Sequence, residues 1–302
     1  GIFSKRTKVQ NLPRLLTILL LAHNTWKRST MASPKYGNVD YDYAMQLAAT
    51  PMNEDGPIWM VNLMKYHDVA QYEDENTTEI TGREADDRYT PLGPLEAVGA
   101  EIVYLGEVEN KLLGDHRDWD RIAVVKYPTR KSFIDMQERK DFQDKHVHKE
   151  AGMKETIVMS CLPIDFPNAQ TSLSNPDNVE HQPSKEDSPI IILHVVRFNE
   201  SSMLGETPEE MDAYTLRAID AAIQHGFGIS GWFGVEGTIV GDGRAWDQVR
   251  FNSFPSKAAF MAVVQDPERL EAQKAYRDIA TSDTYSLIVR TVFDKIADSI
   301  GK

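Results

Sequence analysis

Cysteine is almost absent from this chain of 302 residues, and Cys161 has no second cysteine with which to form an internal disulfide. A lone cysteine fits a reducing compartment and argues against secretion. The chain also lacks the Gly-x-Ser-x-Gly nucleophile elbow, the phosphate-binding loop and the His-Glu-x-x-His zinc motif. Gly226-Phe227-Gly228 is too short for a dinucleotide fingerprint. We therefore expect no metal site and no serine-hydrolase or nucleotide chemistry.

A long hydrophobic run is missing as well. The apolar stretch 15–22 follows a basic start but is too short to span a bilayer. Residues 1–30 are then either an organelle-targeting segment or a translated leader ahead of Met31. We expect a cytoplasmic protein, with targeting by residues 1–30 as the alternative, and a largely irregular extension over 1–55.

Positive charge is scarce outside the first residues. The net charge is −13, and residues 1–36 contain basic side chains but no acidic ones, so the remainder is more acidic still. An acidic surface repels phosphate groups, which makes nucleic acids and anionic membranes poor partners. The partner that we expect is a small apolar molecule.

An internal duplication organises the sequence. The pattern G-D-x-R-x-W-D occurs at 114–120 and again at 241–247, and the flanking segments match at the same spacing. Because the period exceeds a hundred residues, the repeated unit is a whole small domain. We predict one unit at 56–163, a polar linker at 164–187 and a second unit at 188–302.

The order of predicted elements is β-α-β-β-α-β in each copy. In the first copy the strands fall at 58–66, 101–113, 120–127 and 156–162, with helices over 82–98 and from Arg130 toward His148. The first strand is apolar at both parities, which is typical of a strand that is covered on both faces. The prediction is an α+β fold with two ferredoxin-like units.

These patterns resemble an uncharacterised family, domain of unknown function 1330, within the dimeric α/β-barrel superfamily. The resemblance rests on N-L-x-K-[YF] in the first strand, the helical Tyr89 and the G-D-x-x-x-W-D segment. The second copy is more divergent, because His194 replaces Asn62 and Trp232 replaces Tyr104 at the matching positions. The resemblance implies that the two units pack sheet to sheet as an intrachain pseudo-dimer; further homo-oligomerisation stays open.

Two polar residues at matching positions are the first candidates for chemistry. Asn62 and His194 interrupt apolar strands, where an unpaired polar group costs about 1–3 kcal/mol. Each either acts on a substrate carbonyl or proton, or satisfies a hydrogen bond within the core. Tyr89 and Tyr214 on the first helices are candidate donors, or packed helix-face tyrosines with wet hydroxyls.

The remaining candidates are aromatic, acidic or flexible side chains near the predicted cavities. Asp120 is a candidate base beside Trp119, or part of the turn chemistry. His146 is a second candidate base, or a solvated histidine. The candidate substrate-binding residues are Met60, Met64, Tyr104, Trp119, Trp232 and Trp246, several of which packing alone would explain.

The leading hypothesis is a cofactor-independent enzyme of isomerase, cyclase or monooxygenase type that acts on an apolar or aromatic substrate. Asn62 and Tyr89 would orient a carbonyl, with His146 or Asp120 as base; in the second copy His194 would be the base and Tyr214 the donor. The alternative is a non-catalytic ligand-binding or structural barrel. Haem is the alternative cofactor, because a histidine in the second helix with an asparagine in the first strand resembles the haem-degrading branch of the superfamily.

Overall fold

Strands and short helices alternate along the chain as the apolar periodicity predicts. The computed structural model describes residues 34–74, 79–166, 178–200 and 203–302, and the predictions for residues 1–33 fall outside these ranges. The strands are β1 Asn38–Val39, β2 Ile58–Tyr66, β3 Glu101–Leu113, β4 Arg121–Tyr127, β5 Met153–Pro163, β6 Ile190–Phe198, β7 Gly228–Gly241, β8 Gln248–Phe254 and β9 Thr281–Asp294.

The helices cluster in the same intervals as predicted but are more broken. They are α1 Tyr41–Ala49, α2 Gly82–Tyr89, α3 Leu92–Ala97, α4 Arg130–Glu138, α5 Lys140–Gln143, α6 His146–Gly152, α7 Glu209–Ala222, α8 Lys257–Val264, α9 Pro267–Ala272, α10 Asp278–Ala280 and α11 Ile296–Ser299. A 3₁₀ turn, Ile223–His225, follows α7, and a π-helical turn, Gln273–Arg277, follows α9. Within the described ranges, no helix is long and apolar enough to cross a lipid bilayer.

Eight strands close into one antiparallel barrel. Their order is β7-β5-β2-β4-β3-β9-β6-β8, and β8 pairs back with β7. The α+β class and the closed barrel are therefore confirmed. Each half of the chain contributes four neighbouring strands, β5-β2-β4-β3 from the first half and β9-β6-β8-β7 from the second.

The two halves meet at strand edges. We expected two sheets packed face to face, but β3 pairs with β9 and β5 pairs with β7, so backbone hydrogen bonds join the halves into one sheet. The physical reason is that an open sheet edge leaves N–H and C=O groups unpaired, and closure removes both edges of both halves.

Alternate residues of each strand face opposite sides of the barrel wall. Trp59, Val61 and Leu63 of β2 point inward, where they pack with Leu193 and Val195 of β6 in the main core cluster. An eight-stranded barrel is just wide enough for its side chains to fill the interior. The barrel interior is thus a packed core, and space for ligands is found on the outer face, under the helices.

The segment before β2 belongs to the fold. The Asp40 side chain caps α1 by accepting from the Tyr43 backbone N–H, and the Tyr43 hydroxyl donates to Glu236 over 2.6 Å. Strand β1 adds to the edge of β7 in the other half. The described part of the predicted irregular extension is thereby tied to the second half of the chain.

Helix α2 lies unusually close to α6. Thr81 begins α2 with a reciprocal capping box to Glu84. A β-carbon on Gly82 would lie 2.3 Å from the His67 carbonyl oxygen and 2.6 Å from the Gly152 carbonyl oxygen. Only glycine at position 82 permits this approach, which brings the side chains of α2 and α6 over the same part of the sheet.

Candidate functional site

The second aspartate of each G-D-x-R-x-W-D motif accepts a hydrogen bond from the backbone at the end of a neighbouring strand. We call these two residues, Asp120 and Asp247, the bracing aspartates. The Tyr66 backbone N–H donates to Asp120 Oδ2 over 2.9 Å, and the Phe198 backbone N–H donates to Asp247 Oδ2 over 2.7 Å. Lys65 also pairs with Asp120 at 3.2 Å. The Asp120 carboxylate is thus engaged at the end of β2 and lines neither of the two cavities described below, and its role as a base stays a prediction.

The two motif tryptophans lie inside the barrel. The rings of Trp119 and Trp246 both pack on Tyr285, with centroid separations of 5.8 and 5.4 Å. Both indoles are buried in the main core and line neither cavity described below. The structure places these residues at one end of the barrel interior, because the residue before each bracing aspartate points inward. Their expected contact with a substrate stays a prediction.

The two motif arginines connect the halves at the same end of the barrel. Arg244 lies 2.9 Å from Asp115 of the other motif and 2.5 Å from its own Asp242. Arg117 lies 2.6 Å from Asp115 and 3.7 Å from Asp242. The duplicated turns therefore form one cross-linked ion cluster, to which the Tyr285 hydroxyl donates a hydrogen bond at Asp115.

A first cavity of about 410 Å³ lies between the outer face of β2, β4 and β5 and helices α2 to α6. It brings together Asn62, Tyr89 and His146, three of the predicted site residues, from a strand and two helices. Met60 and Met64 lie on its floor, and their role in substrate binding stays a prediction. The cavity also contains polar residues that sequence reasoning did not select: Tyr36, Asp86, Arg121, Lys149 and Thr156.

Asn62 is anchored by its own sheet. Its Nδ2 donates to the Met60 carbonyl over 3.0 Å and more weakly to the Ala123 carbonyl over 3.4 Å. Both amide hydrogens are therefore directed at backbone oxygens, and Oδ1 is the group that stays available. An acceptor suits a substrate hydroxyl or enol better than a carbonyl, which needs a donor.

His146 is held in its neutral form. Burial, reinforced by the nearby Lys149 ammonium, lowers the pKa of the imidazole to about 4. Its Nε2 lies 3.4 Å from the Tyr36 hydroxyl, and its ring contacts Tyr89 and Phe142 edge-on. A neutral imidazole that faces a cavity can accept a proton.

Lys149 is one of two cations that line this cavity, and it differs from the other, Arg121, in its ion pairing. Its Nζ lies 5.1 Å from the ring centre of Tyr36 and 5.2 Å from that of Tyr89. Burial lowers the pKa of the ammonium, and Asp86 opposes this shift from a distance. Within the described ranges no carboxylate lies in salt-bridge range of Nζ, whereas neighbouring Arg121 has Asp86, Asp87 and Glu107 as partners.

A second cavity of about 350 Å³ occupies the corresponding place in the other half, between β6, β8 and β9 and helices α7 to α9. Of the predicted site residues it brings together His194, Tyr214 and Trp232. The sequence analysis did not select Arg250 and Arg277, the two buried arginines of this cavity, whose exposed fractions are 3% and 8%.

The charged row on the floor of the second cavity is set by strand register. His194 lies opposite Arg250 on β8 and opposite Ser286 on β9. Burial, followed by Arg277 and Arg250, lowers the pKa of the His194 imidazole well below its ordinary value. Its Nε2 has no hydrogen-bond partner among the described residues.

Tyr104 and Trp232, expected at equivalent positions, face opposite sides of the wall. In the second half, Trp232 pairs with Arg250, which pairs in turn with His194. In the first half, Leu105 pairs with Ala123, which pairs in turn with Asn62. The structural equivalent of Trp232 is therefore Leu105. Because side chains alternate along a strand, this offset of one residue leaves Tyr104 in the barrel core and outside both cavities.

Metal ligands are not grouped in this structure. Among residues 34–74, 79–166, 178–200 and 203–302, no cluster of three or more histidine, cysteine, aspartate or glutamate side chains could hold a metal ion. Cys161 is buried in the barrel core, and burial, followed by Glu236, raises the pKa of its thiol.

No known protein family profile matches the chain, and no curated protein matches it. Among solved structures, a protein of unknown function from Rhodopseudomonas palustris is 25% identical, with a TM-score of 0.38, over 43% of this chain and 98% of that one. A chlorite dismutase mutant from Candidatus Nitrospira defluvii is 11% identical, with a TM-score of 0.44, over 82% of this chain and 97% of that one.

A proposed monooxygenase from Lactobacillus acidophilus is 10% identical, with a TM-score of 0.38, over 79% of this chain and 97% of that one. Because all of these TM-scores lie below 0.5, the similarities assign neither a reaction nor a ligand to this chain.

Proposed function

We propose that the chain is a tandem duplication of one β-α-β-β-α-β unit, as in the 1330 family, and that its first cavity is the active site of a cofactor-independent enzyme. The substrate is an apolar or aromatic carbonyl compound with an acidic C–H bond. The observation that carries this proposal is the convergence of Tyr89, His146 and Lys149 on one apolar cavity of about 410 Å³, a size typical of small-molecule sites.

The reaction begins with proton transfer from the substrate carbon to the neutral His146 imidazole. The electron pair moves to the carbonyl oxygen and forms an enolate. Burial raises the pKa of the Tyr89 phenol well above its ordinary value, so its hydroxyl stays protonated and donates to that oxygen. The Lys149 ammonium stabilises the developing charge, and Asn62 Oδ1 accepts from a substrate hydroxyl.

The enolate is an intermediate common to isomerases, cyclases and cofactor-free oxygenases. In a ketone whose enolate is conjugated with a neighbouring C=C bond, return of the proton from His146 to the far carbon of that system completes an isomerisation without any further reagent. The second-half pair, with His194 as base and Tyr214 as donor, stays a prediction. Tyr214 there accepts a weak hydrogen bond from Arg277 over 3.5 Å.

Haem fits the first cavity poorly. His146 would have to serve as the axial ligand, but its Nε2 lies 3.4 Å from the Tyr36 hydroxyl and its ring is packed between Phe142 and Tyr89. Binding iron at Nε2 would require Tyr36 to move. The proposed reaction therefore uses no haem. We expect the absorption spectrum of the purified full chain to show no Soret band.

The test is hydrogen–deuterium exchange at the α-carbon of a panel of cyclic and aromatic ketones, followed by NMR in D₂O. We expect the full chain to accelerate exchange for at least one ketone. His146→Gln should abolish the acceleration, and Tyr89→Phe should reduce it about a hundredfold, in the range of one oxyanion donor. Ligand binding without exchange for any ketone would instead favour the non-catalytic ligand-binding barrel.

A further inference from the structure

The second cavity is lined by positive charge that nothing in its lining neutralises. Three arginines, Arg250, Arg269 and Arg277, line it together with His194, and no aspartate or glutamate is among its described lining residues. The rest of the lining is mainly aliphatic and aromatic. This differs from the first cavity, whose lining includes both Asp86 and Asp87.

Arg250 is the most deeply buried of these cations. Its guanidinium donates to Gln248 Oε1 over 2.9 and 3.2 Å and to Thr215 Oγ1 over 2.8 Å. Both acceptors are neutral. Among the described residues no carboxylate lies within salt-bridge range of the guanidinium, although Asp212 of α7 interacts with it electrostatically from further away. Buried charges in proteins are normally paired, since an unpaired one is costly to desolvate. The guanidinium has five N–H donors, so donors remain for a further acceptor.

The surroundings of Arg250 fix its orientation. The guanidinium stacks over the Trp232 ring, with its carbon 4.2 Å from the ring centre. This stacking and the two neutral acceptors hold the charged plane beside His194, whose Nε2 also lacks a partner. A preorganised guanidinium next to an unpaired ring nitrogen is suited to a planar anion.

Arg277 approaches from the opposite wall. It ends the π-helical turn Gln273–Arg277, a distortion that is common at functional sites. Its guanidinium carbon lies 5.3 Å from the Tyr214 ring centre. Its carboxylate neighbour, Asp278 at 3.5 Å, has a half-exposed side chain. The sheet thus supplies one arginine to the cavity, Arg250, and the helical layer supplies the other two, Arg269 and Arg277.

We propose that the second cavity binds an organic monocarboxylate, with the carboxylate held by Arg250 and Arg277, a hydrogen bond from His194, and an apolar body packed against Trp232 and the aliphatic lining. A carboxylate offers two oxygens in the plane that a guanidinium prefers, and it supplies the negative charge that the lining lacks. This site is independent of turnover in the first cavity.

Calorimetric titration of the full chain tests the proposal. The probes are benzoate, 4-phenylbutyrate and decanoate, each compared with its primary amide, and inorganic phosphate. We expect at least one carboxylate to bind about tenfold or more tightly than its amide, the size of effect that one lost charged hydrogen bond produces. Equal binding of every carboxylate and its amide, or tighter binding of inorganic phosphate than of any carboxylate, would overturn the proposal.

Substitution of each of the two buried arginines tests whether the carboxylate binds in the second cavity. Arg250→Gln and, separately, Arg277→Gln should each weaken the preferred carboxylate about tenfold or more while leaving its amide unchanged. The matched control is Arg217→Gln, which removes the same charge from the exposed face of α7 and should change affinity less than twofold. Arg277→Gln preserves the test if Arg250→Gln fails to fold.

Lys149→Gln distinguishes the two cavities. It removes one of the two cations of the first cavity and should leave carboxylate affinity unchanged. Loss of carboxylate binding in Lys149→Gln, with retention in Arg250→Gln and Arg277→Gln, would assign the anion to the first cavity and refute the site proposed here.

Discussion

The two cavities are built on the same strand register but carry different charges. In the first half Asn62 lies between Ala123 and Val158, and in the second half His194 lies between Arg250 and Ser286. The first cavity thus has a cross-strand row of two apolar side chains and one amide. At the matching place, the second cavity has a row of a guanidinium, an imidazole and a hydroxyl.

The two halves share their supporting contacts and differ in the side chains that line their cavities. The bracing aspartates, Asp120 and Asp247, make the same backbone contact in both halves. The groups that would touch a ligand have changed, because outward-facing positions of the barrel are constrained only by the helices above them. The scaffold is therefore shared while the chemistry of each half is set by a few side chains.

We expect the largest effect from a substitution that damages the first half alone. Gly82→Ala places a β-carbon against two backbone carbonyls of neighbouring segments, which cannot move cheaply. We expect a loss of roughly 2–3 kcal/mol in the free energy of unfolding, measured by urea denaturation, and loss of ligand binding in the first cavity.

Gly93→Ala is the matched control for this prediction. Gly93 lies on the exposed side of α3, and an added β-carbon would meet nothing within 4 Å. Alanine there should stabilise the protein by up to about 1 kcal/mol, as in an ordinary helix. An equal loss in both variants, or an intact first cavity in Gly82→Ala, would contradict the close approach of α2 and α6.

A second comparison concerns the two motif arginines. Arg244 lies within 3.3 Å of Asp115, Asp242, Asp283 and the Tyr285 hydroxyl. Arg117 lies 2.6 Å from Asp115 but 3.6 and 3.7 Å from Glu155 and Asp242. We expect Arg244→Gln to cost roughly 2 kcal/mol and Arg117→Gln less than about 1 kcal/mol in the free energy of unfolding.

Chemical denaturation in low salt and in 1 M salt would measure this difference. The cost of Arg244→Gln should shrink only partly in high salt, because its contacts are partly shielded from solvent. Equal costs for the two variants would mean that the duplicated turns are energetically symmetric despite their different contacts.

The sequence predicts the fold of each half better than the joining of the halves. β2 has the bounds that its apolar run predicts, and Pro91 ends the helical stretch that begins at Gly82, because proline disrupts a helix interior. The pairing of β3 with β9 and of β5 with β7 carries no local signal, since it depends on which open edges meet.

The candidate sites are predicted only in part. Asn62, Tyr89 and His146 are found in one cavity. Asn62 and Tyr89 stand out as polar or aromatic at positions that match in the two copies, and His146 stands out as a histidine late in the second helix of the first copy alone. Lys149 reads as a solvated helix residue in the sequence, and only the packing of α6 onto the sheet reveals its burial. The sequence did contain a signal for Arg250. The first copy has the small apolar residue Ala123 at the position that the charged Arg250 occupies in the second copy.

The smallest effect concerns pH and the first cavity. Burial and Lys149 lower the pKa of His146 to about 4 in the folded protein, while an unfolded histidine titrates near pH 6.5. Between these values the unfolded state binds more protons, so stability falls as the pH decreases from about 6.5 to about 4. His194, whose pKa is also lowered, acts in the same direction.

His146→Gln should therefore reduce the stability lost between pH 7 and pH 5 by about 1 kcal/mol, after allowance for the partial exposure of the ring to the cavity. Urea denaturation at both pH values measures the change, and NMR titration of the imidazole gives the folded pKa directly. His116→Gln is the control, because His116 is exposed and lies outside the lining of the first cavity. A folded pKa near 6.5 for His146 would show that water enters the first cavity freely and would remove the shielding on which its proposed chemistry depends.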